Sequence, residues 1–313
     1  MTTEEPEGPY PAMEDAIQKA SVLIEALPYI RSFNKKYVVI KLGGSAMEVE
    51  DNLRKVLQDI VFMSQVRMKP IIVHGAGPMI SEEMKKEGLT PRFVEGQRYT
   101  DEATIKIVER VLTNVNKHIV SVIEEYGFRA KGLIGDEEER LLHGKRKTTG
   151  RDGKPLDLGL VGEITWVNDL AISQVFSNYN IAVIAPLATD SDGSLLNVNA
   201  DIAAAEIAGE LKSEKIVFVS DTHGIYRDVN DKNSLLSSMK ESEMRDLIDR
   251  KIITGGMLPK VHSCMCALKK GVKKAHIIDG QIPHSLLLEI FTEKGIGTEI
   301  IRDNMHENAK PGA

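Results

Sequence analysis

Tyr37-Val38-Val39-Ile40-Lys41-Leu42-Gly43-Gly44-Ser45 is the stretch whose reading decides the fold. Its first four residues are apolar and mostly β-branched, the pattern of a strand buried on both faces in a parallel sheet. Two glycines follow, which let main-chain amides approach a ligand closely. Residues 49–66 then read as a helix. A strand, a glycine turn and a helix N-terminus together form an anion site, and Lys41 sets an ammonium beside it.

The next unit repeats the design. Pro70 to Val73 is a second buried strand, ending in His74-Gly75-Ala76-Gly77-Pro78 ahead of a helix over 78–87. Proline at the first helical position after glycines suits another anion-binding turn. Two such turns after successive strands face each other at the sheet's carboxyl edge, where open α/β sheets bind ligands. His74 reads either as a hydrogen-bonded strand-end histidine or as a base. Residues 93–99 look extended and carry Arg98, either a surface arginine or a two-pronged clamp for a carboxylate. Thr100-Asp101 caps a long helix over 101–126.

Beyond it, 129–134 is a short strand, 135–154 a charged, exposed hairpin, and 160–167 a strand. Asn168-Asp169 caps a helix to about Tyr179, and 181–186 is a buried strand. The turn at 189–193 resembles part of a calcium loop without its terminal glutamate. Asn197, Asn199 and Asp201 recur at every second residue, so an extended segment would put them on one face. They read as a site, or as an N-cap for the Ala-rich helix over 203–211. The pattern then restarts with a strand at 215–220 and a turn at 221–226. A helix near 242–250 and a glycine turn at 255–256 follow, the latter leading into a helix that carries Lys260. A strand at 275–278, a helix over 283–293 and a strand at 297–301 close the chain. Strands alternating with helices predict a three-layer α/β/α sandwich on a mainly parallel sheet. The expected division is a tail and N-terminal helix over 1–35, one lobe over 36–212 and a second over 213–313.

Composition narrows the function classes. The 313 residues carry a net charge of −6, which offers nothing to nucleic acid, and no apolar run is long enough for a membrane. The acidic N-terminus is no signal peptide, and the only cysteines, Cys264 and Cys266, lie in a helical stretch, so a reduced cytosolic protein is expected. Met13, Ile17, Ala20, Ile24 and Leu27 form one stripe of a helix that Pro28 should kink or end. The stripe packs either on its own domain or against another subunit.

Two glycine turns, two lysines, a carboxylate and asparagines suit phosphoryl transfer, in which catalysis is positioning plus charge neutralisation. No Ser–His pairing, metal-ligand cluster or general base stands out. A carboxylate acceptor, already ionised, needs no base.

Lys41-Leu42-Gly43-Gly44, His74-Gly75-Ala76-Gly77-Pro78, Gly96-Gln97-Arg98, Asn197-Val198-Asn199-Ala200-Asp201 and Gly255-Gly256-Met257-Leu258-Pro259-Lys260 together resemble the N-acetylglutamate kinases of the amino acid kinase fold. The match runs in order over roughly residues 24–303. The resemblance implies transfer of a phosphoryl group from ATP, with Mg²⁺ carried on the nucleotide, to the γ-carboxylate of N-acetyl-L-glutamate in arginine biosynthesis. It assigns Lys41 and Lys260 to the transferring group and Asp201 to holding both ammoniums. Gly43, Gly44 and Gly77 line the phosphate path. Gly75, Ala76, Arg98, Asn197 and Asn199 hold acetylglutamate; Asp221, Gly224, Tyr226, Ile252, Ile253 and Thr254 cradle the nucleotide. Three departures stand out: Ala76 where a glycine is usual, Tyr99 where a valine is usual, and no glycine-rich turn over 135–142.

Residues 26–30 and 291–298 resemble the N-terminal helix and arginine loop of the arginine-inhibited members. Those members are hexamers built as trimers of dimers. L-Arginine as inhibitor, a homo-oligomer, a PII-type signalling partner, and Tyr29, Glu293, Gly295 and Gly297 as regulatory residues follow as expectations. The alternatives are a sister kinase acting on carbamate, aspartate, glutamate or UMP, and a non-catalytic sensor of arginine or nitrogen status. Arg98 with the Asn197 to Asp201 run favours acetylglutamate, and the two lysines speak against a sensor.

Overall fold

The computed structural model describes residues 11–135, 141–150, 153–228, 230–292 and 295–304. Strand β1 (Tyr37–Leu42) lies inside an eight-stranded sheet, flanked by β2 (Lys69–His74) and β11 (Lys215–Ser220). Outward from β2 come β8 (Ile181–Ile184) and β5 (Ala130–Leu133). Outward from β11 come β13 (Lys274–Asp279), β14 (Thr298–Ile301) and β12 (Ser238–Lys240). Every pairing is parallel except β13 with β14.

Strand residues alternate between two apolar layers, as a period of two requires. Val39, Ile71, Ala182, Ile216 and Phe218 face α7 (Ala200–Glu210), α8 (Glu241–Asp249), α9 (Met257–Lys269) and α6 (Asp169–Asn178). Val38, Ile40, Ile72, Val183 and Val217 face α3 (Glu50–Gln65), α5 (Glu102–Glu125) and α10 (Ser285–Phe291). This is the expected sandwich. Val38, Val39, Ile40 and Leu42 of β1 are fully buried, and its lysine nearly so.

A smaller sheet has the order β10 (Leu195–Asn197), β9 (Leu187–Thr189), β6 (Leu142–Arg146), β7 (Gly162–Val167). A two-stranded hairpin, β3 (Phe93–Val94) and β4 (Gln97–Arg98), follows α4 (Gly77–Lys86).

Three expectations change and a fourth narrows. Residues 142–146, read as exposed hairpin, form a strand whose Leu142 is buried with Leu141. The run 181–186 ends as a strand at Ile184 and feeds the smaller sheet. β12 was not foreseen, because three residues carry no periodicity. Helix α1 (Pro11–Ser32) runs through Pro28, so of the two expected effects, a kink or an end, the end does not occur. Ala26, Tyr29 and Ile30 pack on the layer of α3 and α10, which holds the last turn despite the proline's missing donor. Among the described residues, no helix is long and apolar enough to cross a membrane.

Candidate active site

At β1 the sheet order reverses, with β2 on one side and β11 on the other, so a crevice opens beyond the strands' carboxyl ends. The turns there are tied sideways by main chain. Gly43 N–H donates to Val219 O (3.0 Å), Gly75 N–H to Leu42 O (3.1 Å) and Gly280 N–H to Ser220 O (2.9 Å).

These ties correct two expected roles. The Gly43 and Gly75 amides are spent on neighbouring strands in this conformation, so the donors left at the turns are the first amides of α4 and of α2 (Gly44–Glu48), which have no partner inside their helices. Gly44 is required by contact, since a Cβ there would lie 2.8 Å from Pro78 Cδ. The two glycine turns therefore touch. Gly77 meets no such obstacle. Ala76 has φ −157° and buries its methyl in the cluster of α4 and α5, so the turn does not demand a third glycine.

Lys41 and Asp201 come together deep in the crevice. The lysine Nζ is 2.7 Å from Asp201 Oδ1, off the line of a good hydrogen bond, and Lys260 Nζ is 3.9 Å from Oδ2. One buried carboxylate thus faces two ammoniums from different elements, β1 and the first turn of α9. Asp201 does not share an extended face with Asn197 and Asn199, because the strand stops at Asn197 and α7 begins at Ala200. Asn199 is the N-cap: its Oδ1 accepts from the amides of Asp201 and Ile202 at 2.9 and 3.1 Å. Its side-chain carbonyl is therefore committed, and only its amide nitrogen is left for a ligand.

Arg98 closes the other end of a cavity of about 280 Å³ that also touches Lys41, Ala76, Asn197 and Asp201. Its guanidinium donates to Gly77 O (2.8 Å), Ser81 Oγ (2.7 Å) and Met84 Sδ (3.2 Å) and lies over the Phe93 ring. Arg98 is only 8% exposed, and among the described residues no carboxylate pairs with it. Burial pulls its pKa below the usual arginine value. A desolvated cation without a counter-charge is a standing attraction for an anion. Thr100, seen in the sequence only as part of a cap, lies buried behind the cavity and ties two of its residues together: Asn197 Nδ2 donates to its hydroxyl (3.1 Å), which donates to Arg98 O (3.0 Å). The departure at Tyr99 places its ring against the Arg92 guanidinium.

On the far side of β1 the expected nucleotide residues form two segments. Gly224 has φ +148°, and a Cβ there would lie 2.4 Å from Thr298 Oγ1, so glycine is obligatory. Asp221 and Thr254 are exposed, Tyr226 and Ile252 half-buried. Ile253 is buried beside Ile225, which leaves its main chain to meet a ligand. Sequence reasoning missed Asp279, at the end of β13, whose buried carboxylate holds His223 Nδ1 at 2.7 Å. A lone acid closing a strand gave no signal.

The sequence profile of the amino acid kinase family matches residues 36–279. The chain belongs to that family. Within the amino acid kinases it is 46% identical over 299 residues to an acetylglutamate kinase of Aquifex aeolicus, covering 92% of this chain and 99% of that one. It is 49% identical over 288 residues to the acetylglutamate kinase of Thermoanaerobacter pseudethanolicus, covering 91% and 94%. The fold is also that of an N-acetylglutamate synthase from Neisseria gonorrhoeae, solved with coenzyme A and N-acetylglutamate. That match has TM-score 0.81 and 24% identity, over 91% of this chain and 64% of that one. A carbamate kinase from Giardia lamblia bound to AMP-PNP shares the fold too, at TM-score 0.61 and 14% identity, over 87% of this chain and all of that one. This amino acid kinase is therefore an acetylglutamate kinase by family.

Proposed function

We propose that the protein transfers the γ-phosphoryl group of MgATP to the side-chain carboxylate of N-acetyl-L-glutamate, in arginine biosynthesis. One observation carries the acceptor: Arg98, buried and without a carboxylate partner among the described residues, in the same cavity as Lys41 and Asp201. Both hydrogens of its Nη2 are held by Gly77 O and Ser81 Oγ, so Nε and the second hydrogen of Nη1 are the donors left for the substrate's other carboxylate, which would turn the side-chain carboxylate towards Lys41. Asn197, Ala76 and the amide nitrogen of Asn199 complete the acceptor pocket.

The acceptor oxygen attacks the γ-phosphorus, the bond to the bridging oxygen breaks, and ADP leaves with that electron pair. No proton moves, so no base is needed. Negative charge spread over the transferring group is met by Lys41, Lys260 and the amides at the starts of α2 and α4. Asp201 keeps the two ammoniums from repelling each other while the site is empty. Both its oxygens face lysines, so Mg²⁺ enters on the phosphates as part of the substrate. Asp221, Gly224 and Tyr226, with Ile252, Ile253 and Thr254, hold the nucleotide. The acceptor then belongs to a lobe over 36–212 and the nucleotide to one over 213–313. A coupled ADP-release assay with acetylglutamate, glutamate, aspartate, carbamate and UMP in parallel tests the reading. Turnover with carbamate or UMP and none with acetylglutamate overturns it.

Feedback inhibition by L-arginine, a hexamer built through α1, and a PII-type partner belong to the same proposal. The support is local. Met13, Ile17, Ile24 and Leu27 are exposed along α1, whose last turn meets α10. After α10, Glu289 accepts from the amides of Ile296 (2.7 Å) and Gly297 (2.9 Å) and pairs with His276 (2.6 Å). Gly297 is forced by contact, since a Cβ there would lie 2.2 Å from Ile277 O, and Gly295 takes a left-handed φ of +60°. Glu293 lies outside the described residues.

A further inference from the structure

Two buried groups behind the acceptor turn, His74 and Asn116, and the half-buried Gly132 have no part in the transfer itself. We propose that Asn116 and His74 are positioning residues that fix the direction of the Ala76 N–H, and through it the fit of the acetylglutamate pocket. This rests on the acceptor reading above.

The hydrogen bonds determine one another. Asn116, in the middle of α5 and fully buried, places Nδ2 3.0 Å from Val183 O and 3.1 Å from His74 Nε2. A carbonyl only accepts, so the group facing Val183 is the amide NH₂. Its second hydrogen then points at His74 Nε2, which must accept. The ring proton is therefore on Nδ1, which faces Gly75 O at 3.4 Å. Protonating the ring would set N–H against N–H at Asn116. Burial acts in the same direction, holding the His74 pKa down at about 4. His74 is thus a neutral ring locked in one tautomer with both nitrogens committed, which resolves the two sequence readings against a base.

Gly75 is consequently held on both sides. Its N–H is bonded to Leu42 O, and its C=O looks towards His74 Nδ1. A trans peptide is planar, so a fixed Gly75 C=O aims the Ala76 N–H the opposite way. Gly75 and Ala76 line the cavity, and His74 does not. Asn116 has no packing justification. Its Oδ1 is buried without a partner, and a leucine there would avoid that penalty. Gly132 on β5 makes room for it, since a Cβ would lie 2.2 Å from Oδ1.

The test is steady-state kinetics of His74→Leu, His74→Asn and Asn116→Leu, with melting temperatures alongside. Loss of one orienting hydrogen bond raises KM for acetylglutamate roughly tenfold, with KM for ATP unchanged. His74→Asn, which keeps a donor near the Nδ1 position, restores most of it. Both KM values moving together, or neither moving, overturns the proposal. Ring-nitrogen NMR reads the tautomer directly. His276, whose Nδ1 faces Glu289 Oε1, gives an Nδ1–H signal of its own, so the His74 signal is assigned by its disappearance in His74→Asn. The expected result is an assigned His74 ring that stays in the Nδ1–H form from pH 8 to pH 5. An assigned His74 ring in the Nε2–H form, or one fully protonated at pH 5, also overturns it. If the wild type ignores acetylglutamate, the substrate reading falls, and the NMR result stands apart from it.

Discussion

The ammonium of Lys41 stands 2.7 Å from Asp201 Oδ1, and both side chains are more than nine-tenths removed from water. A buried pair of this kind is weak evidence for stability, because desolvation offsets most of the attraction. It is better understood as charge held ready for a substrate.

Lys41→Ala and Lys260→Ala are each expected to lower kcat by roughly 10²–10³-fold while KM for either substrate changes far less, the size of one lost transition-state donor. Steady-state kinetics at saturating MgATP and acetylglutamate decides it. A variant with near-wild-type kcat removes that lysine from the mechanism.

Arg98→Ala should act on binding. Its contact with the acceptor's spare carboxylate is the same before and during transfer, so KM for acetylglutamate rises by roughly tenfold or more while KM for ATP holds. The reverse pattern would place Arg98 on the nucleotide side.

Acid should destabilise the fold through His74. Its folded pKa is about 4 against 6.5 unfolded, so between these values the unfolded chain binds the extra proton. Stability from this residue is present above pH 6.5 and is lost as pH falls towards 4, on the order of 2 kcal/mol by pH 5. Chemical denaturation at pH 7 and pH 5 should therefore show a smaller loss for His74→Asn than for the wild type. Equal losses would mean that His74 titrates normally. His276, also buried with a lowered pKa, supplies acid sensitivity that the substitution leaves in place.

Removing residues 1–30 takes away the exposed stripe of α1 and Tyr29, which packs beside α10. The expected outcome is a smaller oligomer, weaker inhibition by L-arginine and little change in basal turnover. Sedimentation showing six subunits, or an unshifted arginine midpoint, would reduce α1 to a structural arm.

Much of this was legible beforehand because the informative residues sit where strands meet turns. Lys41, Arg98 and Asp201 line one cavity from three separate elements, β1, β4 and α7. Other details depend on contacts that no local pattern reports. Asn199 looked like a ligand on an extended face, but the chain coils into α7 one residue later and spends the side chain as a cap. Gly43 and Gly75 looked like amide donors, yet their amides complete the sheet. Asn116 was invisible: a lone asparagine in a long helix reads as solvated until His74 and Val183 are found against it. The smaller sheet escaped because its strands are short and two of them pair across more than forty residues of chain.

The sideways ties of Gly43, Gly75 and Gly280 to neighbouring strands have an evolutionary reading. In the proposed mechanism the route of the phosphoryl group combines two lysines with main-chain amides, and the main-chain part is one that point mutations hardly touch. What the acceptor must look like is written in side chains on the short β3–β4 hairpin and at the entrance to α7. Such a chassis lets a lineage exchange its acceptor by rewriting a few positions at one rim, while the donor half, anchored on the opposite flank of β1, goes on delivering phosphate to the same point in space.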